Sequence, residues 1–143
     1  PGNPLSAYQD SSVFKIFLHD VGLLGAMAGL NVRTIIEGDE IFTEFKGALT
    51  EQFVMQQLRL NSALYIGYWT NERSTIEVDF VIQDEGEVIP IEVKSGENLK
   101  AKSFRLFCEK YKPSKAIRTS LSDYKEESWM VNIPLYALAV SRK

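Results

Sequence analysis

Two carboxylates and a lysine, Asp79, Glu92 and Lys94, lie on two neighbouring predicted strands and have the residue types of a hydrolytic metal site. Residues 76–82 alternate between apolar and other side chains, and residues 88–93 form a second apolar run. Residues two apart in a strand point to the same side, so Glu92 and Lys94 share a face. We therefore expect the three side chains to converge.

The alternation in residues 76–82 also assigns each side chain of that strand to a face. One predicted face carries Ile76, Val78, Phe80 and Ile82. The other predicted face carries Glu77, Asp79 and Val81. On this prediction, Asp79 points away from Phe80 and lies on the side that Glu92 and Lys94 share.

A third carboxylate, Glu51, lies in the helical pattern of residues 40–60. It falls on the stripe of Gly47, Val54 and Leu58, which otherwise has the composition of a buried face. A carboxylate there needs a lysine, backbone amides or a metal ion as a partner. A glutamate leaning out to solvent fits the pattern equally well.

Carboxylates brought close together repel one another unless a cation lies between them, and oxygen ligands of this kind suit Mg²⁺ or Mn²⁺. Such an ion stabilises charge on a phosphate and lowers the pKa of a bound water, and Lys94 would orient or activate that water. The predicted metal ligands are Asp79, Glu92 and Glu51. The alternative is an ion pair of Asp79 or Glu92 with Lys94 that serves only the sheet.

The composition places these residues in a single globular domain. The chain has 143 residues, of which 45% are hydrophobic and 24% charged, so one core is expected and disorder is excluded for most of the length. Residues 1–12 read as a linker or disordered arm, and 13–143 as the domain. Cys108 is the only cysteine, which favours a reducing cytoplasm. No run is long and apolar enough for a membrane span. The first residue is Pro rather than Met, and we expect a fragment of a longer protein.

The charge changes sign along the chain. Residues 1–93 contain 5 basic and 14 acidic residues, and residues 94–118 contain 8 basic and 2 acidic, although the total is −3. Lys102, Arg105 and Lys112 lie on the outer face of the helix predicted over residues 100–111. These three are the candidate contacts to a nucleic acid. A solvated helix face is the alternative.

Several sequence segments together resemble the PD-(D/E)XK nuclease superfamily, whose core follows the order helix, three strands, helix, strand. The segments are FKIFLHDVGLL, GALTEQFVMQQL, EVDFVI, IPIEVKSG, KSFRLF and NIPLY. They are most similar to the uncharacterised domain that follows the ATPase domain in bacterial and archaeal AAA-type ATPases. The similarity runs over residues 13–136. It implies an α/β (α+β) fold with a restriction-endonuclease-like core, in which a mixed sheet is flanked by helices.

By position, the resemblance implies that Asp79 and Glu92 are the metal-binding acids, Lys94 the motif lysine and Glu51 the helix glutamate. Val78 stands where the motif has its proline. The phosphate-binding loop of the ATPase is absent from this sequence. The resemblance thus implies a partner ATPase domain within the same full-length chain.

Two functions follow from these expectations. The first is a nuclease-like domain of an AAA-type ATPase that hydrolyses DNA phosphodiesters with Mg²⁺ or Mn²⁺. The second is a non-catalytic module that binds nucleic acid or protein and regulates the ATPase. A domain that serves only folding and oligomerisation, with structural acids, is a third. The substrate form and the oligomeric state are not encoded in any motif of the sequence.

Overall fold

The structure is a computed structural model and describes residues 4–31, 33, 40–71, 75–96 and 101–138. Its strands form one six-stranded mixed sheet with the spatial order β1-β2-β3-β4-β6-β5. The strands are β1 (Tyr65–Thr70), β2 (Glu77–Asp84), β3 (Glu87–Val93), β4 (Ile117–Ser120), β5 (Lys125–Glu126) and β6 (Val131–Pro134). The first three pair antiparallel, β4 is parallel to both β3 and β6, and β5 returns antiparallel to β6.

The α-helices of the described residues are α1 (Val21–Met27), α2 (Glu40–Arg59) and α3 (Lys102–Tyr111). Short 3₁₀ turns occur at Leu5–Tyr8 and Leu135–Ala137. The chain is therefore a mixed α+β protein. From α2 to β4 the elements follow the predicted order of a helix, three strands, a helix and a strand.

The helix ends follow from local chemistry. Asp20 caps α1, as the sequence predicts, because its side chain accepts a hydrogen bond of 2.9 Å from the main-chain N–H of Leu23. The helix α3 ends where Lys112 adopts a left-handed conformation with φ 46°. Pro113 follows, and its ring cannot continue a helix.

Two apolar clusters lie on opposite faces of the sheet. On one face α2 contributes Val54 and Leu58, which are fully buried among strand residues including Phe80, Ile82 and Ile91. On the other face α3 contributes Phe104, Phe107 and Cys108, which are buried with Val78, Val81 and Met130. The two helices thus enclose the centre of the sheet, and the strands between them are buried on both sides.

A β-bulge interrupts the pairing of β1 with β2. Gly67 pairs with Val81 and Trp69 with Val78, so one residue of β1 faces two residues of β2, Asp79 and Phe80. Val78 therefore joins Val81 in the cluster under α3, while Phe80 lies in the cluster under α2. The prediction that Val78 and Phe80 share a face is wrong, because the extra residue reverses the alternation.

A two-residue turn joins β2 to β3. Asp84 pairs with Glu87, and between them Glu85 and Gly86 have φ 47° and 86°. Positive φ at both central positions is the geometry of a type I′ hairpin turn, whose twist matches that of the strands. Gly86 adopts it without a steric penalty, since it has no Cβ.

Two residues within the stretch 1–12, which the sequence predicts as a linker or disordered arm, contact the sheet. Leu5 is buried in the cluster under α3, and its main-chain N–H donates a hydrogen bond of 2.8 Å to the Gln83 side chain. The Tyr65 hydroxyl also donates a hydrogen bond to Gln9. A single apolar residue among polar ones provides this anchor, and composition alone does not reveal it.

Within the part of the chain that the structure describes, none of the helices combines the length and apolar character that crossing a bilayer requires.

Candidate functional site

Asp79 lies where β2 and β3 separate. Their pairing runs from the turn to Phe80 and Ile91, and Asp79 is the next residue of β2 beyond that pair. The Asp79 Oδ2 atom accepts a hydrogen bond of 2.7 Å from the main-chain N–H of Val93. The bulge thus turns the Asp79 carboxylate into the gap between the strands, where it replaces a main-chain acceptor.

This position changes the acidity of Asp79. Burial, followed by the charge of Glu92 and then that of Glu51, raises its pKa from 3.8 to about 7. The hydrogen bond from Val93 and the charge of Lys15 act in the opposite direction. The Asp79 carboxyl therefore exchanges its proton near neutral pH.

Glu92 and Lys94 form an ion pair at the end of β3. The Glu92 side chain is buried, and its Oε1 atom lies 2.6 Å from the Lys94 ammonium. Burial raises the pKa of Glu92, as do the charges of Glu51 and Glu77, whereas the contact with Lys94 lowers it. The predicted spacing of an acid and a lysine two residues apart therefore produces direct contact.

Glu51 extends from α2 to a lysine that the sequence reasoning did not select. The Lys15 ammonium lies 3.4 Å from Glu51 Oε2 and also forms an ion pair with Glu77. It stands over the ring of Tyr68, 5.2 Å from the ring centroid. Of the three partners proposed for Glu51, the structure thus supplies a lysine.

The neighbouring acids raise the pKa of Lys15, so its ammonium stays protonated. Burial acts to lower its pKa, but the hydrogen bond to Glu77 and the charges of Glu51, Glu77 and Asp79 outweigh burial and raise it. A sequence signal for Lys15 did exist, since it is the only lysine or arginine in the first 32 residues. Its partners lie 36 and 62 positions further along the chain, so no local pattern links them.

Four carboxylates are therefore electrostatically coupled at this end of the sheet, and we call Glu51, Glu77, Asp79 and Glu92 the acidic cluster. The predicted residues Glu51, Asp79, Glu92 and Lys94 all belong to this region, and Lys15 and Glu77 are additions. The structure brings two lysines to four acids. A net negative charge of this kind, partly buried, attracts cations.

The fit of a metal ion to these residues depends on Asp79 and Glu92. Across the described ranges, no three His, Cys, Asp or Glu side chains are grouped so that they could hold one metal ion. Mg²⁺ commonly takes one or two protein carboxylates and completes its shell with water and phosphate oxygens. Asp79 and Glu92 fit that smaller requirement. Burial disfavours the negative charge of both side chains, and the Glu92 charge raises the pKa of Asp79, so a bound cation would stabilise both ionised carboxylates. Glu51, the third predicted ligand, lies against Lys15.

The predicted nucleic-acid contacts are exposed along α3. Lys102 begins the helix and Lys112 follows its end, so about 15 Å of helix separates them. Arg105 lies between them, pairs with Glu109 at 3.0 Å and stacks over Trp129 at 5.9 Å. Lys102 is the first of the three beyond Lys94 in the chain.

Two cavities lie outside the acidic cluster. One of about 380 Å³ is lined mostly by apolar side chains of α2 and of the segments after β4 and β6, including Phe53, Leu121 and Leu135. The other, of about 510 Å³, lies around Trp129 and Met130. Neither cavity is lined by a residue of the acidic cluster, so the predicted site lies apart from both.

Cys108 is a buried packing residue of α3. Burial, followed by the charges of Glu92 and Glu109, raises the pKa of its thiol to about 11. A thiol of that acidity stays protonated at neutral pH and is a poor nucleophile. The influence of Glu92 on Cys108 also shows that Glu92 faces the α3 side of the sheet.

Comparison with known proteins gives one family. A family model described as "Domain of unknown function (DUF4143)" matches residues 46–138, which is 93 of the 143 residues. No curated protein matches the chain. The matched range contains the whole acidic cluster and Lys94, and it leaves out Lys15.

Proposed function

Because the chain belongs to the family described as "Domain of unknown function (DUF4143)", we propose its function from the geometry of the site, as metal-dependent hydrolysis of phosphodiester bonds in DNA. The observation that carries the proposal is the buried pair of acids, Asp79 and Glu92, beside the Lys94 ammonium. The order of elements from α2 to β4 supports a restriction-endonuclease-like core of the PD-(D/E)XK type. The resemblance of the sequence motifs points the same way.

In this function Asp79 and Glu92 would hold Mg²⁺ or Mn²⁺. The ion would supply Lewis-acid stabilisation of the phosphate and a water of lowered pKa. Asp79 serves with its carboxylate ionised, and its pKa of about 7 means that a cation shifts it to that form at neutral pH. Val93 fixes the orientation of the Asp79 carboxylate through the hydrogen bond at 2.7 Å.

Lys94 is the residue that contacts the reacting groups in this proposal. Its main-chain N–H donates a hydrogen bond of 2.9 Å to the Thr119 carbonyl, so the backbone that presents the ammonium is anchored on β4. The Lys94 ammonium lies 2.6 Å from Glu92 Oε1. From this position it would stabilise the developing charge on a phosphate or orient the attacking water. Glu51 keeps the field of the site negative from α2.

In this function the basic residues of α3 contact the nucleic acid. Lys102, at the start of the helix, is the first of them beyond Lys94 in the chain. We place the domain in the same chain as an AAA-type ATPase, on the resemblance of its motifs. We place it in the cytoplasm, which the buried, unpaired Cys108 supports.

The second candidate is a non-catalytic module that binds nucleic acid or a protein and regulates the ATPase. One observation favours it. Lys15 and Lys94 already form ion pairs with three members of the acidic cluster, Glu51, Glu77 and Glu92. A site whose charges are met from within the chain can be a structural core for a binding surface.

Cleavage and binding by matched variants separate the two candidates. Wild type is assayed with Mg²⁺ and Mn²⁺ on duplex, single-stranded and branched DNA, beside Asp79→Asn and Lys94→Met. Asp84→Asn is the control, since it neutralises the same residue type at the far end of β2. We expect cleavage by wild type and the control, and a loss of at least roughly a hundredfold in the other two.

Absence of cleavage by wild type on every substrate, where binding is measured in the same buffer, would refute the hydrolytic function. DNA or protein binding that persists in Asp79→Asn would then support the regulatory module.

A further inference from the structure

Lys15 contacts the acidic cluster but belongs to none of the strands and helices that carry the four acids. It belongs to residues 13–18, which run as an irregular segment before α1. Its ammonium contacts Glu51 on α2 and Glu77 on β2, and its charge acts on Asp79. A cation is thus already present in the cluster, and it is carried by a separate stretch of chain.

Side chains of α2 hold this segment on its C-terminal side. The buried Gln52 accepts a hydrogen bond of 2.9 Å from the Leu18 N–H and donates one of 2.7 Å to the Leu18 carbonyl. Gln56 accepts a hydrogen bond of 3.0 Å from the main-chain N–H of Val21. The Phe17 ring packs against Phe80 at 5.7 Å. The attachment is therefore firm from residue 17 onward.

The part of the segment that carries Lys15 is held much less. Val13, Phe14 and Ile16 are exposed to 51, 71 and 81%. Little apolar surface would be uncovered if residues 13–16 moved away from the cluster. The ion pairs of Lys15 are consequently the main contacts that keep its ammonium in place.

We propose that Lys15 is the resident counter-ion of the acidic cluster, and that it limits binding of a divalent cation at Asp79 and Glu92 and withdraws as the ion enters. This inference rests on the proposed metal-dependent function, which it extends to regulation of the site. The physical reason is direct, because the Lys15 charge already acts on Asp79, and an ammonium and a divalent ion in the same partly buried cluster repel each other. Because the segment stays attached from residue 17 onward, the Lys15 ammonium returns to the acidic cluster when the ion leaves.

The test measures Mn²⁺ binding without any substrate. Free Mn²⁺ is followed by electron paramagnetic resonance as the ion is titrated into wild type, Lys15→Met, Lys15→Arg and Lys46→Met. Methionine keeps the apolar stem of lysine and removes the charge, and Lys46 is a half-buried lysine of α2 outside the cluster. We expect Lys15→Met to bind Mn²⁺ at least about tenfold more tightly than wild type, a difference of about 1.4 kcal/mol. Lys15→Arg and Lys46→Met should match wild type.

Equal or weaker Mn²⁺ binding by Lys15→Met than by wild type would overturn the proposal, as would binding that is undetectable in both. If Lys15→Met does not fold in metal-free buffer, the proposal requires Mn²⁺ to restore its circular dichroism spectrum during refolding. Failure of Mn²⁺ to do so overturns it as well.

The outcome is distinguishable from failure of the proposed hydrolysis. Tighter Mn²⁺ binding by Lys15→Met, with no DNA cleavage by any variant, supports the role of Lys15 and refutes the hydrolytic function. Cleavage by wild type together with unchanged Mn²⁺ affinity in Lys15→Met does the reverse.

Discussion

Replacement of Asp79 by asparagine should stabilise the protein at alkaline pH. The pKa of Asp79 rises from 3.8 in a solvated chain to about 7 in the folded protein. Between these values the folded state binds a proton that the unfolded state has lost, so the free energy of unfolding falls as the pH rises. Above pH 7 the loss is complete and constant. Asparagine cannot ionise, and its side-chain oxygen still accepts the hydrogen bond from Val93.

The size of the effect follows from the shift. Each pKa unit corresponds to 1.36 kcal/mol, and the interval from pH 5 to the pKa of about 7 covers two units. Asp79 should therefore cost wild type up to about 2.7 kcal/mol of stability between pH 5 and pH 8, and Asp79→Asn should lack this part of the slope. Glu92 also has a raised pKa and contributes to the slope of both proteins. The difference between the two proteins reports Asp79 together with its coupling to Glu92.

Urea unfolding at pH 5, 6, 7 and 8 measures this difference, followed by the fluorescence of Trp69 and Trp129. Asp84→Asn serves as the control and should follow wild type at each pH. A second variant, Asp79→Ala, removes the acceptor of the Val93 N–H and should lose about 1–3 kcal/mol relative to Asp79→Asn. If wild type and Asp79→Asn show the same dependence on pH, the carboxyl is not held in the environment described, and the reasoning fails.

Three further changes test other contacts. Gln52→Ala removes both hydrogen bonds to Leu18 from a buried amide and should lower the free energy of unfolding by about 1–3 kcal/mol in urea, with Gln57→Ala as an exchange at a less buried position of the same helix. Leu5→Ala should lose about 2 kcal/mol in the same assay if the N-terminal anchor contributes to the core, and an unchanged midpoint would contradict that. Asp20→Ala should speed amide exchange in α1, while Asp20→Ser, which keeps a capping oxygen, should not.

The elements of the fold could be predicted because their signals are local. The cap at Asp20, the stop after Tyr111 and the apolar strands each depend on neighbours within a few residues. The sequence also placed Glu92 and Lys94 on one side of β3, and the structure confirms their contact. The position of Glu51 on a buried stripe left a partner and a solvent-facing side chain as equal alternatives, and the structure supplies Lys15 as a partner.

What the sequence did not reveal depends on contacts between distant residues. The bulge at Asp79 arises from the mismatch between two strands, and β2 alone reads as a clean alternation. Lys15 reaches Glu51 and Glu77 across the fold, and its own neighbours in sequence are apolar. The anchor at Leu5 likewise depends on Gln83, which lies 78 residues away.

The turn at Glu85 and Gly86 determines which residues of the site face each other. Asp79 lies five residues before Asp84, and Glu92 lies five residues after Glu87, so the two acids are equidistant from the turn. The exposed turn therefore sets the register of the hairpin, and the register determines which residues lie opposite each other at the site. Inserting one residue at the turn would shift Glu92 along β2 by one position and point it to the opposite face. A change in the length of this turn can thus disable or alter the site although every residue of the site is still present.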